Sequence, residues 1–443
     1  MGRRKFPSLR RLRKVGGALA VCSALALPVT AASATPDAST APATAQAVGR
    51  ELKPGPGGYV PITPFRVLDT RMPAAPLFRR YNGAPNLWWG ETRSVLVAAP
   101  GDTTLPPGGA GAVSLTITVA GAPGPGYVTV WPGDQPYPGT SNVNYSAGKV
   151  VSNSVTVRLD ATGRINVYSP LPIMAIIDVN GWYANQPATG PAGGGGFVGT
   201  RPVRLLDTRN PWLLKPGSND YRFLEVVVPP DIAAVGGVRA VVLNLTVTDA
   251  VGSGYASLVP NGVWPPPVSS SNYNPGQTVA NELIVTPGVN NLIYVYVSSS
   301  AHVIVDLMGY FTGGPTQPGG FVPVGGGGTR IMDTRGAGFG NYGYDAAHDA
   351  RLLVIGGSAG VPTTAGAAAL NVTAVSPLAS GFVRVWPDST QTPGISNLSV
   401  EAGGVAAVGI SPALGPSLGV LIGSNVVPDI IVDLMGWYAT SYV

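Results

Sequence analysis

The feature that constrains this chain most is a set of motifs that occurs three times in the same order. The openings are YVPITPFRVLDTR from Tyr59, FVGTRPVRLLDTR from Phe197 and FVPVGGGGTRIMDTR from Phe321. The closing segments AIIDVNGWY, VIVDLMGYF and IIVDLMGWY contain aspartates 128 and 127 residues apart, namely Asp178, Asp306 and Asp433. Solenoid and propeller repeats run to about 20 to 50 residues, whereas a unit of this length can close its own core. The pattern therefore predicts three domains of one fold.

The ends of the motifs set the predicted domain organisation. Residues 1–34 have a basic start, an apolar run and the small residues ASA, which together indicate a signal peptide. Both the general secretory and the twin-arginine routes fit this segment. Residues 35–58 are rich in Ala, Pro, Thr and Gly and are predicted to be a disordered linker. The three β domains are predicted at 59–185, 197–313 and 321–443, and the mature protein is predicted to be extracellular, at the cell surface or cell wall.

The apolar pattern inside each copy favours strands. Leu243, Leu245 and Val247 alternate with polar residues, so their period is two. Similar runs follow at intervals of about ten residues and are separated by Gly, Pro, Asn and Asp. This rhythm predicts an all-β chain in which each domain is an antiparallel β-sandwich or jelly roll. A β-trefoil is the second choice, because no subrepeat of about forty residues is visible within a copy.

Charge and cysteine content exclude several classes of protein. Seven of the 27 basic residues lie in the first 14 positions, and the remainder of the chain has 20 basic against 22 acidic residues. Such a chain lacks the basic surface that nucleic acid requires. The single cysteine, Cys22, lies within the predicted signal peptide, so no disulfide is expected in the mature chain. No later segment has the roughly 18 apolar residues of a membrane span.

The Asp-Thr-Arg triplet of each opening is the sharpest repeated signature. A carboxylate beside a guanidinium can bind a sugar or an anion, but a structural clasp is the preferred interpretation, because a buried charge needs a partner. The aspartates of the closing strands lie among apolar residues and require such a partner. We expect Arg71 to pair with Asp178, Arg209 with Asp306 and Arg335 with Asp433. The complete predicted clasp comprises Asp69, Arg71, Asp178, Asp207, Arg209, Asp306, Asp333, Arg335 and Asp433.

Two other repeated features are predicted to be structural. A Ser-Asn pair in each copy, beginning at Ser141, Ser271 and Ser396, is expected to close a turn through the Asn side chain. The aromatic pairs that end each closing motif are expected to pack on a core or on the next domain. These pairs are Trp182-Tyr183, Tyr310-Phe311 and Trp437-Tyr438.

Tryptophans are the candidate ligand-binding residues. Trp131 and Trp386 occupy the same register in the first and third copies, where the second copy has Val259. A residue that every copy needed would occur in all three, so the difference hints at a surface role such as stacking on sugar rings. For any single tryptophan, core or interface packing is the preferred interpretation, because aromatic side chains are mostly buried. Four further tryptophans lie in Pro- or Gly-bearing segments: Trp88, Trp89, Trp212 and Trp264.

Enzymatic motifs are missing from the sequence. After the signal peptide there are two histidines, His302 and His348, at non-equivalent positions, so neither a triad nor a zinc site is predicted. No GxSxG, HExxH or phosphate-binding loop occurs. We therefore predict no catalytic residue, no metal and no cofactor. A secreted glycoside hydrolase is the competing class, since a carboxylate pair is a property of the fold.

The LLDTR-like opening, the central LNVT and the DLMGYF-like closing motif together resemble a repeat domain common in secreted proteins of high-GC Gram-positive bacteria. In that family the domain stands in tandem or is appended to secreted hydrolases. The resemblance covers nearly all of residues 59–443 and implies a noncatalytic extracellular accessory domain. The expected function is an exported binding or scaffold protein, with cell-wall or extracellular polysaccharide, or other exported proteins, as its partners.

Overall fold

The computed structural model describes residues 57–71, 85–185, 195–234, 237–263, 268–313, 320–336, 342–345, 349–388 and 390–439, with 342–345 described as backbone. The prediction of an all-β chain is confirmed. The predicted signal peptide lies outside the described residues, as does the linker except for its last two glycines. Within the described part, no helix is both long and apolar enough to span a membrane.

Copy 1 forms two four-stranded antiparallel sheets. Its inner sheet, which contains the first and last strands, has the order β1-β8-β3-β6, and its outer sheet has the order β2-β7-β4-β5. The strands are β1 Tyr59–Asp69, β2 Thr92–Leu96, β3 Ala110–Ala120, β4 Gly126–Pro132, β5 Val143–Tyr145, β6 Val151–Arg158, β7 Arg164–Tyr168 and β8 Met174–Ala184.

Copy 2 repeats this arrangement, with an inner sheet β14-β11-β16-β9 and an outer sheet β10-β15-β12-β13. It also contains a short helix, α1 Pro230–Ala234, and a 3-10 turn, Val289–Asn291. The strands are β9 Phe197–Asp207, β10 Asp220–Glu225, β11 Val238–Thr248, β12 Gly254–Pro260, β13 Ser271–Tyr273, β14 Val279–Val285, β15 Leu292–Val297 and β16 His302–Thr312.

Copy 3 divides its opening strand into two and adds one strand to the outer sheet. The inner sheet is β17-β26-β21-β24, with β18 also paired to β26, and the outer sheet is β19-β20-β25-β22-β23. The strands are β17 Phe321–Pro323, β18 Thr329–Asp333, β19 Tyr342–Asp345, β20 Ala350–Val354, β21 Ala367–Val375, β22 Gly381–Pro387, β23 Leu398–Val400, β24 Val405–Ile410, β25 Gly419–Ser424 and β26 Asp429–Tyr438.

The alternation in the sequence explains why the two sheets of a copy face each other. On β3, Leu115, Ile117 and Val119 bury their side chains in one apolar cluster with Val128 and Val130 of β4. Equivalent clusters occupy copies 2 and 3. Alternate positions on a strand point to opposite faces, so each β-branched or leucine position of the pattern reaches this core.

A fourth apolar cluster joins the three copies. It contains the first aromatic residue of each opening motif and the last aromatic residue of each closing motif, all 0–2% exposed. Their ring centroids lie 4.7 to 6.2 Å apart, a typical range for tilted aromatic contacts. Of each predicted closing pair, the second aromatic therefore packs between copies and the first packs on the core of its own copy, so each sequence alternative holds for one member. The six residues of this aromatic cluster are Tyr59, Tyr183, Phe197, Phe311, Phe321 and Tyr438.

Hydrogen bonds also connect each copy to the other two. The Asn244 amide of copy 2 donates to the Ser396 carbonyl of copy 3 at 2.8 Å. The equivalent Asn371 of copy 3 donates to the Ser141 carbonyl of copy 1 at 2.6 Å. Between copies 1 and 2, the Ser154 backbone amide donates to Oδ1 of Asn281 at 3.1 Å. The three copies thus form a closed ring of contacts.

The prediction of three tandem antiparallel β-sandwich or jelly-roll-like domains is wrong, and so is its second choice, the β-trefoil. The chain forms six small sheets arranged as a six-bladed β-propeller, to which each copy contributes two sheets. The described residues belong to one compact unit. The physical reason is the shared aromatic cluster and the hydrogen bonds between copies, which bury surface that a separately closed domain would leave in water.

We expect Asn371→Ala to lower the free energy of unfolding by about 1–3 kcal/mol, because the change removes the donor to the Ser141 carbonyl and the acceptor for Asn153. Urea unfolding at neutral pH measures the effect. Asn261→Ala is the control, since that side chain makes one long surface hydrogen bond of 3.4 Å and its loss should cost less than about 0.5 kcal/mol. Equal costs for the two variants would contradict the role assigned to Asn371.

Candidate functional site

A charged cluster clasps the first strand of each copy to its last strand. In copy 1, Arg66 on β1 lies opposite Asp178 on β8 in the strand register. Its Nε and Nη2 donate to the two Asp178 oxygens at 2.7 and 3.1 Å, and its Nη1 donates to Asp69 at 2.8 Å. Arg71 closes the other side of Asp69, donating from Nε and Nη2 at 3.0 and 2.8 Å. Two carboxylates and two guanidinium groups therefore form one chain of ion pairs.

Copies 2 and 3 contain the same cluster. Arg204 pairs with Asp306 and with Asp207, and Arg330 pairs with Asp433 at 2.9 Å and with Asp333 at 3.4 Å. In both copies the arginine of the Asp-Thr-Arg triplet binds the aspartate of its own triplet at 2.7 Å, as Arg209 binds Asp207 and Arg335 binds Asp333.

The predicted pairing of the triplet arginines with the closing-strand aspartates is wrong. The guanidinium that binds Asp178 belongs to Arg66, and Arg204 and Arg330 take the same place on Asp306 and Asp433. The physical reason is register, because the arginine three residues before the triplet aspartate lies on the strand, directly opposite the buried aspartate. Arg71 follows the end of β1 and folds back onto Asp69. An Arg-x-x-Asp spacing in all three openings was the signal that could have identified this partner.

The pKa shifts differ between the aspartates of the closing strands and the aspartate of the Asp-Thr-Arg triplet in copy 2. Burial raises the pKa of Asp178, Asp306 and Asp433, and the bound guanidinium offsets part of that rise. The hydrogen bond from Arg209 instead lowers the pKa of Asp207 to about 2. Every repeated carboxylate is therefore held by an arginine, and none is presented as a free acid or base.

Trp131 and Trp386 are buried, so the prediction that they form exposed stacking platforms is wrong. Their exposed fractions are 3% and 0%. Each indole Nε1 donates to a carbonyl of the following loop, Trp131 to Gln135 at 2.8 Å and Trp386 to Thr390 at 3.4 Å. Trp131 also packs against Gly327 of copy 3, where a Cβ atom would lie 2.4 Å from the tryptophan Cβ. The two residues pack under loops and do not meet a ligand surface.

The remaining candidates from the sequence are dispersed. Trp88, Trp89 and Trp212 are exposed, whereas Trp264 and His348 lie outside the described residues. His302 Nδ1 lies 3.1 Å from the Thr208 hydroxyl. Within the described ranges, no group of three His, Cys, Asp or Glu residues is placed to hold a metal ion.

The Ser-Asn pairs hold an outer-sheet strand, but only two of them are structurally equivalent. Oδ1 of Asn142 accepts from the Val130 amide at 2.7 Å, and Oδ1 of Asn397 accepts from the Val385 amide at 2.8 Å. In copy 2 this acceptor is the hydroxyl of Ser270, which precedes the pair Ser271-Asn272. The sequence match in copy 2 was therefore displaced by two residues.

Sequence reasoning missed a row of aromatic side chains on the outer sheet of copy 2. Tyr221 and Phe223 of β10 lie opposite Tyr296 and Tyr294 of β15. The ring centroids of Tyr221 and Tyr294 are 5.3 Å apart, and those of Tyr255 on β12 and Tyr296 are 5.6 Å apart. These five residues crossing three adjacent strands are called the aromatic face below.

The aromatic face combines exposed rings with fixed polar groups. Phe223 is 65% exposed and Tyr221 is 49% exposed. Tyr296 is nearly buried between them and Tyr255, and its hydroxyl donates to Oδ1 of Asn219 at 2.8 Å. Burial and the neighbouring Tyr255 raise the pKa of Tyr296, so the hydroxyl stays neutral. The exposed rings therefore lie beside a buried, neutral tyrosine whose hydroxyl is fixed by Asn219.

The signal for this face is present in the sequence as alternating aromatic residues in DYRFLE and LIYVYV. Side chains two residues apart share one face of a strand, and antiparallel neighbours bring the two pairs together. Copy 1 has Thr92 and Ser94 on the corresponding edge strand β2. Copy 1 shares the inner part of the face as the pair Tyr127 and Tyr168, so the exposed aromatic residues of the edge strand are what distinguishes copy 2 from copy 1.

Comparison with known proteins identifies no family. No protein-family model matches the chain, and no curated protein matches it. Among solved structures, a chain from work on the triple jelly roll fold and turret assembly in an archaeal virus aligns over 87% of this chain and 91% of its own length, with 11% identity and a TM-score of 0.18. A chain from the atomic structure of Sulfolobus turreted icosahedral virus aligns over 87% and 92%, with 10% identity and a TM-score of 0.18.

Proposed function

We propose that the protein is an exported, noncatalytic polysaccharide-binding protein of the cell surface or cell wall, and that the aromatic face is its binding surface. The observation that carries this proposal is the exposed pair Tyr221 and Phe223, beside the half-buried Tyr294 and Tyr255. Flat aromatic rings pack against the C–H faces of sugar rings, and tyrosine adds a hydroxyl group that can bind sugar hydroxyls.

The position of the face on a sheet supports binding of an extended chain. Strand side chains stand roughly perpendicular to the sheet, so the rings on these three hydrogen-bonded strands form a rigid surface in which Tyr296 is buried beneath its neighbours. The edge strand β10 ends the order β10-β15-β12-β13, which leaves Phe223 at the border of the sheet. A polymer can lie along such a surface without entering an enclosed pocket.

The charged clusters argue against the hydrolase alternative. Glycoside hydrolysis needs one carboxyl that can give up a proton and a second that is available to the sugar or to water. The repeated carboxylates are bound by arginines instead, as in the pairs Arg66–Asp178 and Arg71–Asp69. The first pair joins β1 to β8 and the second fixes the end of β1, so both are best explained by a structural role.

A scaffold function is the second candidate, and the ring of copies favours it. The compact unit contains three outer sheets, one from each copy, and these sheets carry different side chains. Such a unit can display separate surfaces to other exported proteins. A large apolar patch that fits a protein partner would be the corresponding site.

The test is sedimentation of the full chain with insoluble cell wall, chitin, cellulose and xylan. We expect the wild-type chain to pellet with at least one polymer, and Tyr221→Ala/Phe223→Ala to weaken that binding by roughly tenfold or more, since two exposed stacking rings are lost. The matched control is Trp88→Ala/Trp89→Ala, which removes two exposed rings from copy 1.

The control double variant should pellet like the wild type. The proposal fails if the wild-type chain stays in the supernatant with all four polymers. It also fails if Tyr221→Ala/Phe223→Ala binds as tightly as the wild-type chain while circular dichroism shows both to be folded.

A further inference from the structure

A groove of about 660 Å³ opens between copy 2 and copy 3, and no residue of the aromatic face lines it. Copy 2 contributes Thr246, Thr248 and Arg209 to its lining, and copy 3 contributes Phe382 and Arg384. The groove exists because the loop after β22 packs against copy 2, where Asn244 and Arg204 donate to its carbonyl groups. Its walls therefore depend on the ring of copies.

Arg384 is the feature of this groove that the fold does not explain. Its Nη1 donates to the Pro393 carbonyl at 3.1 Å, which ties down the following loop. The equivalent residues of copies 1 and 2 bind the same loop through hydroxyl groups. Thr129 donates a hydrogen bond to the Thr140 carbonyl, and Ser257 donates one to the Val268 carbonyl. A hydroxyl is thus enough for the structural role. The guanidinium adds a positive charge and further N–H donors.

The charge on Arg384 is not neutralised by the protein. Within the described part of the chain, no carboxylate forms an ion pair with it, and its Cζ lies 5.0 Å from the Phe382 ring centroid. Arg209, half-exposed at the same groove, uses Nε and Nη2 to bind Asp207. Glu401 also lines the groove and is the carboxylate that would oppose an anionic ligand.

A second, independent observation concerns two serines in the groove lining. The hydroxyl oxygens of Ser396 and Ser399 are buried and have no hydrogen-bond partner. A buried hydroxyl without a partner costs free energy, so such groups are usually satisfied by water or by a ligand. Together with Thr246 and Thr248, these side chains surround the groove with hydroxyl groups suited to a polyhydroxylated molecule.

We propose that this groove binds a carboxylate-bearing sugar of an acidic polysaccharide, with Arg384 and Arg209 as the anion-binding residues and Ser396 and Ser399 as partners of the sugar hydroxyls. Guanidinium groups bind carboxylates through paired hydrogen bonds, and this geometry discriminates an acidic sugar from its neutral counterpart. The inference rests on the proposed function in that the ligand is a glycan, but it assigns a different surface and a different sugar class.

The test uses isothermal titration of the full chain with a galacturonic acid trisaccharide and with the neutral galactose trisaccharide. We expect the acidic trisaccharide to bind and the neutral one to bind at least roughly tenfold more weakly. Arg384→Thr should reduce the affinity for the acidic trisaccharide by roughly tenfold or more. This variant installs the residue of copy 1, so the hydrogen bond to the loop can be kept. Glu401→Gln should strengthen binding because it removes the opposing charge.

Arg164→Thr in copy 1 is the matched control, since it removes a guanidinium that makes one surface hydrogen bond of 3.3 Å. Equal affinity of wild type and Arg384→Thr for the acidic trisaccharide would overturn the proposal, as would equal affinity for the acidic and neutral sugars. Competition by inorganic sulfate at the same concentration as the sugar would also overturn it, by showing a simple anion site. Sedimentation of Arg384→Thr with neutral polymers tests the aromatic face separately, so failure of one proposal is distinguishable from failure of the other.

Discussion

Arg66→Ala is expected to lower the free energy of unfolding by about 3–5 kcal/mol, because it leaves the buried Asp178 without its guanidinium partner. Asp178 is fully buried, and burial already raises the pKa of its carboxyl despite the two hydrogen bonds from Arg66. Without Arg66 the chain must bury either an unpaired charge or a protonated acid. Urea unfolding at pH 7, followed by tryptophan fluorescence, measures the loss.

Arg71→Ala provides the matched control. Its guanidinium is 39% exposed, and Asp69 keeps Arg66 as a second partner when Arg71 is removed, so we expect a cost of about 1 kcal/mol. Arg66→Ala/Asp178→Asn should recover part of the loss of Arg66→Ala, because the amide removes the unpaired charge. A larger cost for Arg71→Ala than for Arg66→Ala would show that the clasp is assigned to the wrong arginine.

Glu282→Gln is expected to remove a pH dependence of stability that the wild-type chain shows between about pH 4.5 and pH 8. Glu282 is 4% exposed and lines a cavity of about 30 Å³ where side chains of all three copies meet. Within the described residues no arginine or lysine forms an ion pair with it, and its Oε2 has no hydrogen-bond partner. Burial raises the pKa of Glu282 to about 8, although the nearby Ser411 opposes this rise.

The sign of the effect follows from the two states of the chain. The folded chain keeps Glu282 protonated below about pH 8, whereas the unfolded chain ionises it above its ordinary pKa of 4.5. The contribution to stability is therefore complete below pH 4.5 and is lost as the pH rises toward 8. A shift of this size corresponds to a loss on the order of 4–5 kcal/mol. The neighbouring Tyr438, whose pKa burial raises to about 12, stays neutral throughout this range.

Urea midpoints of wild type and Glu282→Gln at intervals from pH 4.5 to pH 9 test this expectation. The two chains should differ little at the acid end, and the variant should be the more stable by several kcal/mol at pH 8. Glu225→Gln is the control, because Glu225 is exposed on the edge strand β10. Parallel pH profiles for wild type and Glu282→Gln would contradict the assignment of a buried neutral carboxyl.

The sequence predicted those parts of the structure that depend on local patterns. Alternation at Leu243, Leu245 and Val247 correctly indicated a strand, although its polar positions, which alternation predicts to face water, are buried as well. The apolar setting of Asp178 correctly indicated the need for a partner. The identity of the Asp178 partner depends on the register between β1 and β8, in which Arg66 and Asp178 are 112 residues apart in sequence. The repeated triplet, to which Arg71 belongs, favoured Arg71 as the partner instead.

The candidate site was harder to predict because burial depends on distant segments. Trp131 is a residue type that can stack on sugar rings. In the structure it is covered by its own loop and by Gly327, almost 200 residues further along the chain. The aromatic face follows a simple period of two, yet it required the pairing of β10 with β15 to bring Tyr221 close to Tyr294. The aromatic residues that join the copies are repeated in the sequence, but nothing in the motifs indicated that they meet in one cluster. Other residues at the contacts differ from copy to copy.

One such difference lies where the inner sheets meet. Thr116, Asn244 and Asn371 hold equivalent places on the central strands, and their cross-strand neighbours are Ser154, Glu282 and Gly409. A Cβ atom at position 409 would lie 2.1 Å from the Ser154 carbonyl oxygen, so only glycine fits there. The three copies have thus become non-interchangeable. An assembly of three identical chains built from copy 2 would bring three carboxyl groups to one point, where like charges cannot all ionise. Because the three copies belong to one chain, each can carry the residues that fit one position in the ring.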